Sequence, residues 1–281
     1  MKVSPYLRLM RFHRPVPILL ILWPTYWGLF LGARPSVKML IVFTVGVVLM
    51  RAAGCVMNDY FDRNFDGQVA RTKIRPLATK ELTPRQALRL AGILFLLAAS
   101  LLFFLSPQVI LLSCVAFALA CLYPLAKRFT HFPQFVLGLA FNFGLIMAYV
   151  QINGHLTWPA MYWYVFALLW TLIYDTEYAM VDRQDDLSIG IKSTAIFFGR
   201  HVVGFIGVLS LGLIGLSILY PILMHQATQL FPWVMLALIS LFLARQYLAL
   251  RQHREKMSFA LFNQHHWLGL LVFLLLMGVK F

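Results

Sequence analysis

What most constrains this chain is the recurrence of apolar runs long enough to cross a bilayer. A helix rises about 1.5 Å per residue and the hydrocarbon core is about 30 Å thick, so about 20 apolar residues suffice. Nine runs can be drawn, at 15–33, 38–60, 86–106, 108–126, 132–151, 158–178, 202–224, 231–250 and 262–280, the eighth interrupted by Arg245. Of 281 residues, 61% are hydrophobic and 12% charged, against about 25% charged in a soluble domain. Lipid offers no partner to a backbone N–H or C=O, so runs of this length are helices. The expected fold is an all-α membrane protein, a bundle of nine transmembrane helices around a central apolar cavity. No connection is long enough to fold alone, so residues 1–281 read as a single integral-membrane domain. The first run lacks a small-residue cleavage site and reads as a retained helix. Cys55, Cys114 and Cys121 show no paired spacing, which supports neither a disulfide framework nor a zinc site.

Charge assigns the sides. Loops after runs 1, 3, 5 and 7 are short and nearly uncharged, among them Ser106-Pro107-Gln108 and Asn153-Gly154-His155. The N-terminus and the loops after runs 2, 4, 6 and 8 hold 21 of the 24 Lys and Arg residues, leaving only Arg34, Lys38 and Lys280 for the other side. The positive-inside rule then puts the N-terminus in the cytoplasm and the C-terminus outside. The net charge of +14 is thereby accounted for, and no nucleic-acid partner is needed. All ten Asp and Glu residues also fall on the cytoplasmic side. Acids contribute little to topology, so their asymmetry points to a catalytic face open to the cytosol.

Two acidic clusters dominate that face. Run 2 ends in Asn58-Asp59-Tyr60-Phe61-Asp62-Arg63-Asn64-Phe65-Asp66. Asp59, Asp62 and Asp66 are spaced i, i+3, i+7 and would share one face of a helix. Run 6 ends in Asp175, Glu177, Asp182, Asp185 and Asp186, where Asp175, Asp182 and Asp186 form a second stripe. The matching placement hints at internal duplication. Carboxylates this close repel and call for a cation. Basic residues follow each cluster: Arg71, Lys73 and Arg75 after the first, Lys192 after the second. Facing aspartates beside Lys and Arg suit a diphosphate bridged by Mg²⁺, which takes a few carboxylates plus phosphate oxygens. Loss of diphosphate from an allylic carbon leaves a carbocation, which aromatic faces stabilise, and 15% of the chain is aromatic. The apolar bundle would hold a long prenyl tail.

The combination Asn58-Asp59-x-x-Asp62-x-x-x-Asp66, Asp182-x-x-x-Asp186 and Tyr123-x-x-x-Lys127 resembles the UbiA superfamily of membrane prenyltransferases. Met50-Arg51-Ala52-Ala53-Gly54-Cys55, Tyr174-Asp175-Thr176, Tyr178 to Arg183 and Gly190-Ile191-Lys192-Ser193-Thr194-Ala195 are similar to its bacterial 4-hydroxybenzoate polyprenyltransferase branch. The resemblance spans essentially the whole chain, with Glu177 and Gln184 departing from the usual forms. It implies nine transmembrane helices, Mg²⁺ as cofactor, a polyprenyl diphosphate and 4-hydroxybenzoate as substrates, and a role in ubiquinone biosynthesis.

On that reading Asn58, Asp59, Asp62, Asp66, Asp182 and Asp186 hold metal. Lys127, Lys192, Arg71 and Arg75 neutralise the leaving group, and Tyr123 and Asp175 adjoin the substrate. Asn58 adds a neutral oxygen or orients Asp62. Arg51, inside run 2 on the face of Asn58, is expected to pair with an acid in a supporting role. Arg14, Arg51 and Arg128 are candidates for the acceptor's carboxylate. Glu177 and Asp185 fall off the stripe and read as solvated or supporting. His265-His266 reads as structural, since adjacent helical residues face apart. Tyr162-Trp163-Tyr164 reads as an outer interfacial belt. The rival from another class is a cation transporter, but transporters place charges near the bilayer midplane, and these acids gather at one face.

Overall fold

A computed structural model describes residues 4–64, 66–68, 72–188, 190–253 and 255–279, without the side chains of 68, 127, 253, 255, 256 and 279. Arg71 lies outside the described residues, and so does the side chain of Lys127. Twelve α-helices appear among the described residues: α1 Pro5–Leu9, α2 Val16–Leu31, α3 Val37–Asp62, α4 Pro84–Ser100, α5 Pro107–Phe129, α6 Pro133–Asn153, α7 Trp158–Val181, α8 Arg183–Ser188, α9 Thr194–Phe198, α10 Val202–Leu223, α11 Leu230–His253 and α12 Glu255–Val279. Short 3₁₀ turns lie at Asp66–Gln68, Leu101–Phe104 and Gly199–His201.

Local sequence explains the ends. Pro84, Pro107 and Pro133 open α4, α5 and α6, where a missing N–H costs nothing. Ser36 caps α3 by accepting from Met39 N at 3.3 Å. Thr83 and Gln86 form a capping box on α4. Gly154, at φ 78°, terminates α6, a conformation that glycine adopts without a Cβ clash.

Among the described residues, seven stretches are long and apolar enough to cross a membrane: α3, α4 with its 3₁₀ extension, α5, α6, α9 through α10, α11 and α12. Helix α2 is apolar but shorter, at 16 residues. Helix α7 has 24 residues, but its Trp and Tyr content and Asp175 dilute its apolarity. It is nonetheless the most enclosed element, packed against α2, α6, α10 and α12. Trp27 of α2 stacks on Trp170 of α7 at 5.4 Å and donates to Gly269 O at 3.1 Å. The interfacial belt expected at Tyr162-Trp163-Tyr164 is corrected here. Trp163 is fully buried and Tyr164 nearly so. Trp163 packs on Trp27, Phe166 and Tyr220, and contacts with neighbouring helices override the lipid-interface preference that residue type suggests.

Helix α4 buries Ala87, Ala91 and Leu94 against α3. It leaves Leu88, Ile93, Leu96 and Leu97 exposed. Such an apolar exterior is what lipid, not water, would cover.

Candidate active site

The two acidic clusters line one pocket of about 1350 Å³. Asn58, Asp59, Asp62 and Asp66 border it from α3 and the turn beyond. Asp175, Asp182 and Asp186 border it from α7 and α8. Of the other expected residues, Arg51, Arg75, Tyr123 and Lys192 line it too. More than a hundred residues of chain separate the two groups of aspartates, and packing of α2, α6 and α7 brings them to the same end of the bundle.

Neither cluster is a single helical stripe. Helix α3 stops at Asp62, because Arg63 folds back and donates to Tyr60 O at 2.6 Å while lying over the Tyr60 ring. Asp66 therefore sits off the helix, in the 3₁₀ turn, and returns to the others through Arg75. That guanidinium contacts both Asp66 oxygens at 2.8 and 2.9 Å and reaches Asp59 at 3.1 Å. Thr72 anchors the turn by donating to Asp66 O at 2.8 Å. The second stripe is also interrupted. Helix α7 ends at Val181, Asp182 caps it, and Asp186 lies in α8, joined to Asp182 by a backbone bond of 2.8 Å.

Asp59 is buried and receives Arg11 at 2.6 Å as well as Arg75. By sequence alone Arg11 is one of the N-terminal basic residues that set the topology. Its spacing with Arg8 and Arg14 is the one signal that could have singled it out. Asn58 donates to Asp62 at 3.1 Å, so its role here is to orient that carboxylate. Burial pushes the Asp66 carboxyl up to about 6, against the pull of Arg75 and with Asp59 and Asp62 adding to the rise. Lys192 lies at 3.5 Å from Phe129 O, over the pocket.

Arg51 departs from expectation. Among the described residues no carboxylate pairs with it. Its Nη1 contacts Cys55 Sγ, one turn along α3, and its Nε is buried without a partner. Of the other two candidates for a substrate carboxylate, Arg14 lines the pocket and lies over Phe259, and Arg128 does not line it. An aromatic wall faces the acids: Tyr174 and Tyr178 of α7 with Phe259 and Phe262 of α12, Tyr178 and Phe262 being 4.9 Å apart.

Glu177 is fully buried behind that wall, which corrects the solvated alternative. Trp170 Nε1 can only donate, and it donates to His265 Nδ1 at 3.0 Å. His265 Nε2 therefore carries the proton given to Glu177 Oε2 at 3.0 Å. His265 is structural, as read, and its partner could not be seen from spacing alone.

The donor set fits Mg²⁺. All its side chains present oxygen, and among the described residues no three acids, histidines or cysteines form a ready cage. An ion that takes one or two carboxylates and completes its shell with phosphate oxygens and water does not need one.

Residues 21–274 match the UbiA prenyltransferase family. The chain belongs to that family. Among its UbiA relatives is a 4-hydroxybenzoate octaprenyltransferase of Photobacterium profundum, 45% identical over 279 residues, with 97% of this chain and 95% of that one covered. Another, of the same description, from Vibrio parahaemolyticus, is 46% identical over 96% of this chain and 95% of the relative. Solved UbiA homologues share the fold. One from Aeropyrum pernix superposes with a TM-score of 0.78 at 23% identity, covering 91% of this chain and 95% of its own. One from Archaeoglobus fulgidus, bound to GPP and Mg²⁺, gives 0.77 at 20% identity, covering 98% and 99%.

Proposed function

We propose that this UbiA protein transfers a polyprenyl group from an allylic polyprenyl diphosphate to the ring carbon ortho to the hydroxyl of 4-hydroxybenzoate. Diphosphate is released, and the product enters ubiquinone biosynthesis. The observation that carries the proposal is the convergence of both aspartate groups, with Arg75 and Lys192, on one apolar-walled pocket, in a chain about 45% identical over nearly its full length to 4-hydroxybenzoate octaprenyltransferases. The relatives' name points to a donor of eight isoprene units.

Asp59, Asp62, Asp66, Asp182 and Asp186 would hold Mg²⁺, as the A. fulgidus homologue with GPP suggests. When bound, the ion supplies positive charge against the diphosphate and makes it a better leaving group. Arg75, Lys192, Lys127 and Arg71 neutralise charge on the departing oxygens. As the allylic carbon–oxygen bond breaks, its electrons leave with diphosphate and the carbon becomes cationic. Tyr174, Tyr178, Phe259 and Phe262 present π faces that stabilise this cation and keep water from it. The phenol ring attacks through its ortho carbon and then loses the ring proton. Arg51, without a carboxylate of its own, takes the acceptor's carboxylate. Tyr123 and Asp175 border the substrate.

The bundle crosses a bacterial inner membrane nine times as a single domain. Its N-terminus and pocket mouth are cytoplasmic and its C-terminus periplasmic.

The deciding experiment supplies membranes containing the protein with Mg²⁺, 4-hydroxybenzoate and a mixture of prenyl diphosphates, and identifies products by mass spectrometry. A ring-prenylated 4-hydroxybenzoate is expected, and Asp62→Ala and Asp182→Ala should each lower its formation at least about a hundredfold. Product from another phenol alone would reassign the acceptor. Near-normal turnover in both variants would overturn the site.

A further inference from the structure

Arg245 interrupts the eighth apolar run, and prenyl transfer makes no use of it. It lies in α11, one of the stretches long and apolar enough to cross a membrane. That helix ends at His253, so Arg245 sits about 12 Å inside its end. It points outward. Gln246, next along, is buried and turns to Gln264 of α12. Arg245 is exposed, and among the described residues no carboxylate pairs with it. Beside it a groove of about 360 Å³ runs between α11 and α12, lined by Leu241, Ala244, Arg245, Leu248 and Gln252 of α11 and by Met257 of α12. The α11 positions are spaced i, i+3, i+4, i+7 and i+11, one stripe of the helix. Leu241 and Leu248 are exposed along it, and Arg245 is the one charge that the groove contains. None of these residues lines the acidic pocket.

We propose that this groove binds one anionic phospholipid, its phosphate on Arg245 and an acyl chain along Leu241, Ala244 and Leu248. A guanidinium within a span is costly, and its stem can lie along apolar surface while its head reaches for the interface. Snorkelling alone leaves the groove unexplained. A phospholipid meets both needs at once: its phosphate takes the guanidinium through two parallel hydrogen bonds, and its chain fills the apolar channel below. Basic pockets between spanning helices are where anionic headgroups bind. Arg251, exposed at the edge of the same face and nearer the helix end, adds positive charge that favours a net-negative headgroup over a zwitterionic one. A second copy of the chain fits less well, since a twofold contact on this stripe would bring two copies of Arg245 together and no anion.

The test titrates the full-length protein in detergent with a phosphatidylglycerol or with the phosphatidylcholine of the same acyl chains, and reads retained lipid by native mass spectrometry. The proteins are the wild type, Arg245→Gln, Arg245→Lys, Ala244→Trp and Arg200→Gln, which removes an exposed charge away from the groove. Wild type is expected to hold one phosphatidylglycerol with an apparent Kd at least about tenfold below that of phosphatidylcholine, the scale of a charged hydrogen bond. Arg245→Gln should abolish that preference, Arg245→Lys should keep part of it, and Arg200→Gln should keep it whole. Ala244→Trp fills the groove beneath an intact cation and should weaken both lipids together. Equal affinities in the wild type, a preference that survives Arg245→Gln, or one lost as fully in Arg200→Gln, overturns the site. Binding unchanged in Ala244→Trp removes the chain from the groove and overturns it too. A mass of two copies that Arg245→Gln separates, with no lipid retained, assigns the face to self-association and overturns the lipid site.

Discussion

Arg51 is a cation inside the span of α3, about two turns before Asn58, and its guanidinium donates to the Cys55 thiol. A guanidinium so placed gains most from an anionic ligand, and a charged hydrogen bond contributes about 1.5–3 kcal/mol. Arg51→Gln is expected to raise KM for 4-hydroxybenzoate by about 10- to 100-fold while leaving that of the donor within about twofold. Steady-state kinetics with each substrate varied in turn decide it, and an equal rise for both would move Arg51 to the diphosphate. Asp66 carries a second prediction. Its carboxyl is pushed up to about 6 by burial, and metal binds the ionised form. Below that value binding must expel a proton, so apparent Mg²⁺ affinity should weaken as pH falls through about 6 and level off above it. Titrating Mg²⁺ at several pH values between 5 and 8 checks the sign. A flat profile would show that Asp66 is already ionised, with Arg75 outweighing burial.

At the scale of helices, contact between α2 and α6 depends on a missing side chain. A Cβ on Gly28 would stand 2.2 Å from the carbonyl oxygen of Leu145, and backbone cannot swing aside as a side chain can. Gly28→Ala is expected to destabilise the protein by about 1–3 kcal/mol, read as a lower thermal midpoint in detergent. Gly212→Ala, where a Cβ meets nothing within 4 Å, should lie close to wild type; equal midpoints for the two would remove the packing argument. The same scale shows what the sequence could convey. Apolar run lengths translate directly into helices because lipid leaves the backbone no alternative. The aspartates were legible as charges that must share a cation. Their arrangement was not, since Arg63 ending α3 and Arg75 recovering Asp66 depend on the path of a loop. Glu177 looked like one more acid at a helix end until α12 supplied His265, 88 residues further along the chain. Trp163 looked interfacial because residue type cannot say which helices surround it.

For the whole molecule, α7 is the decisive span, because by apolarity alone it falls outside the crossing helices. The shared pocket leads to the prediction that α7 crosses as well. Asp62 at the end of α3 and Asp182 at the end of α7 line the same pocket, so both ends lie at one face. Starting from Asp62, α4 leaves that face, α5 returns to it and α6 leaves it again. Only if α7 crosses does Asp182 come back to Asp62. The enclosure of α7 by other helices explains how a Trp- and Tyr-rich segment can span, since its polar groups face protein and not lipid. Trp170 meets His265, and Thr171 accepts from Asn142 at 2.8 Å. The crossing is tested by single cysteines in an otherwise cysteine-free protein, at His155 before α7 and at Asp185 after it, using a maleimide that does not cross membranes. In spheroplasts, position 155 should label and position 185 should not; in inside-out vesicles the pattern should reverse. Labelling of both positions from the same side would place α7 outside the membrane path and separate Asp182 from Asp62, contrary to the pocket they share.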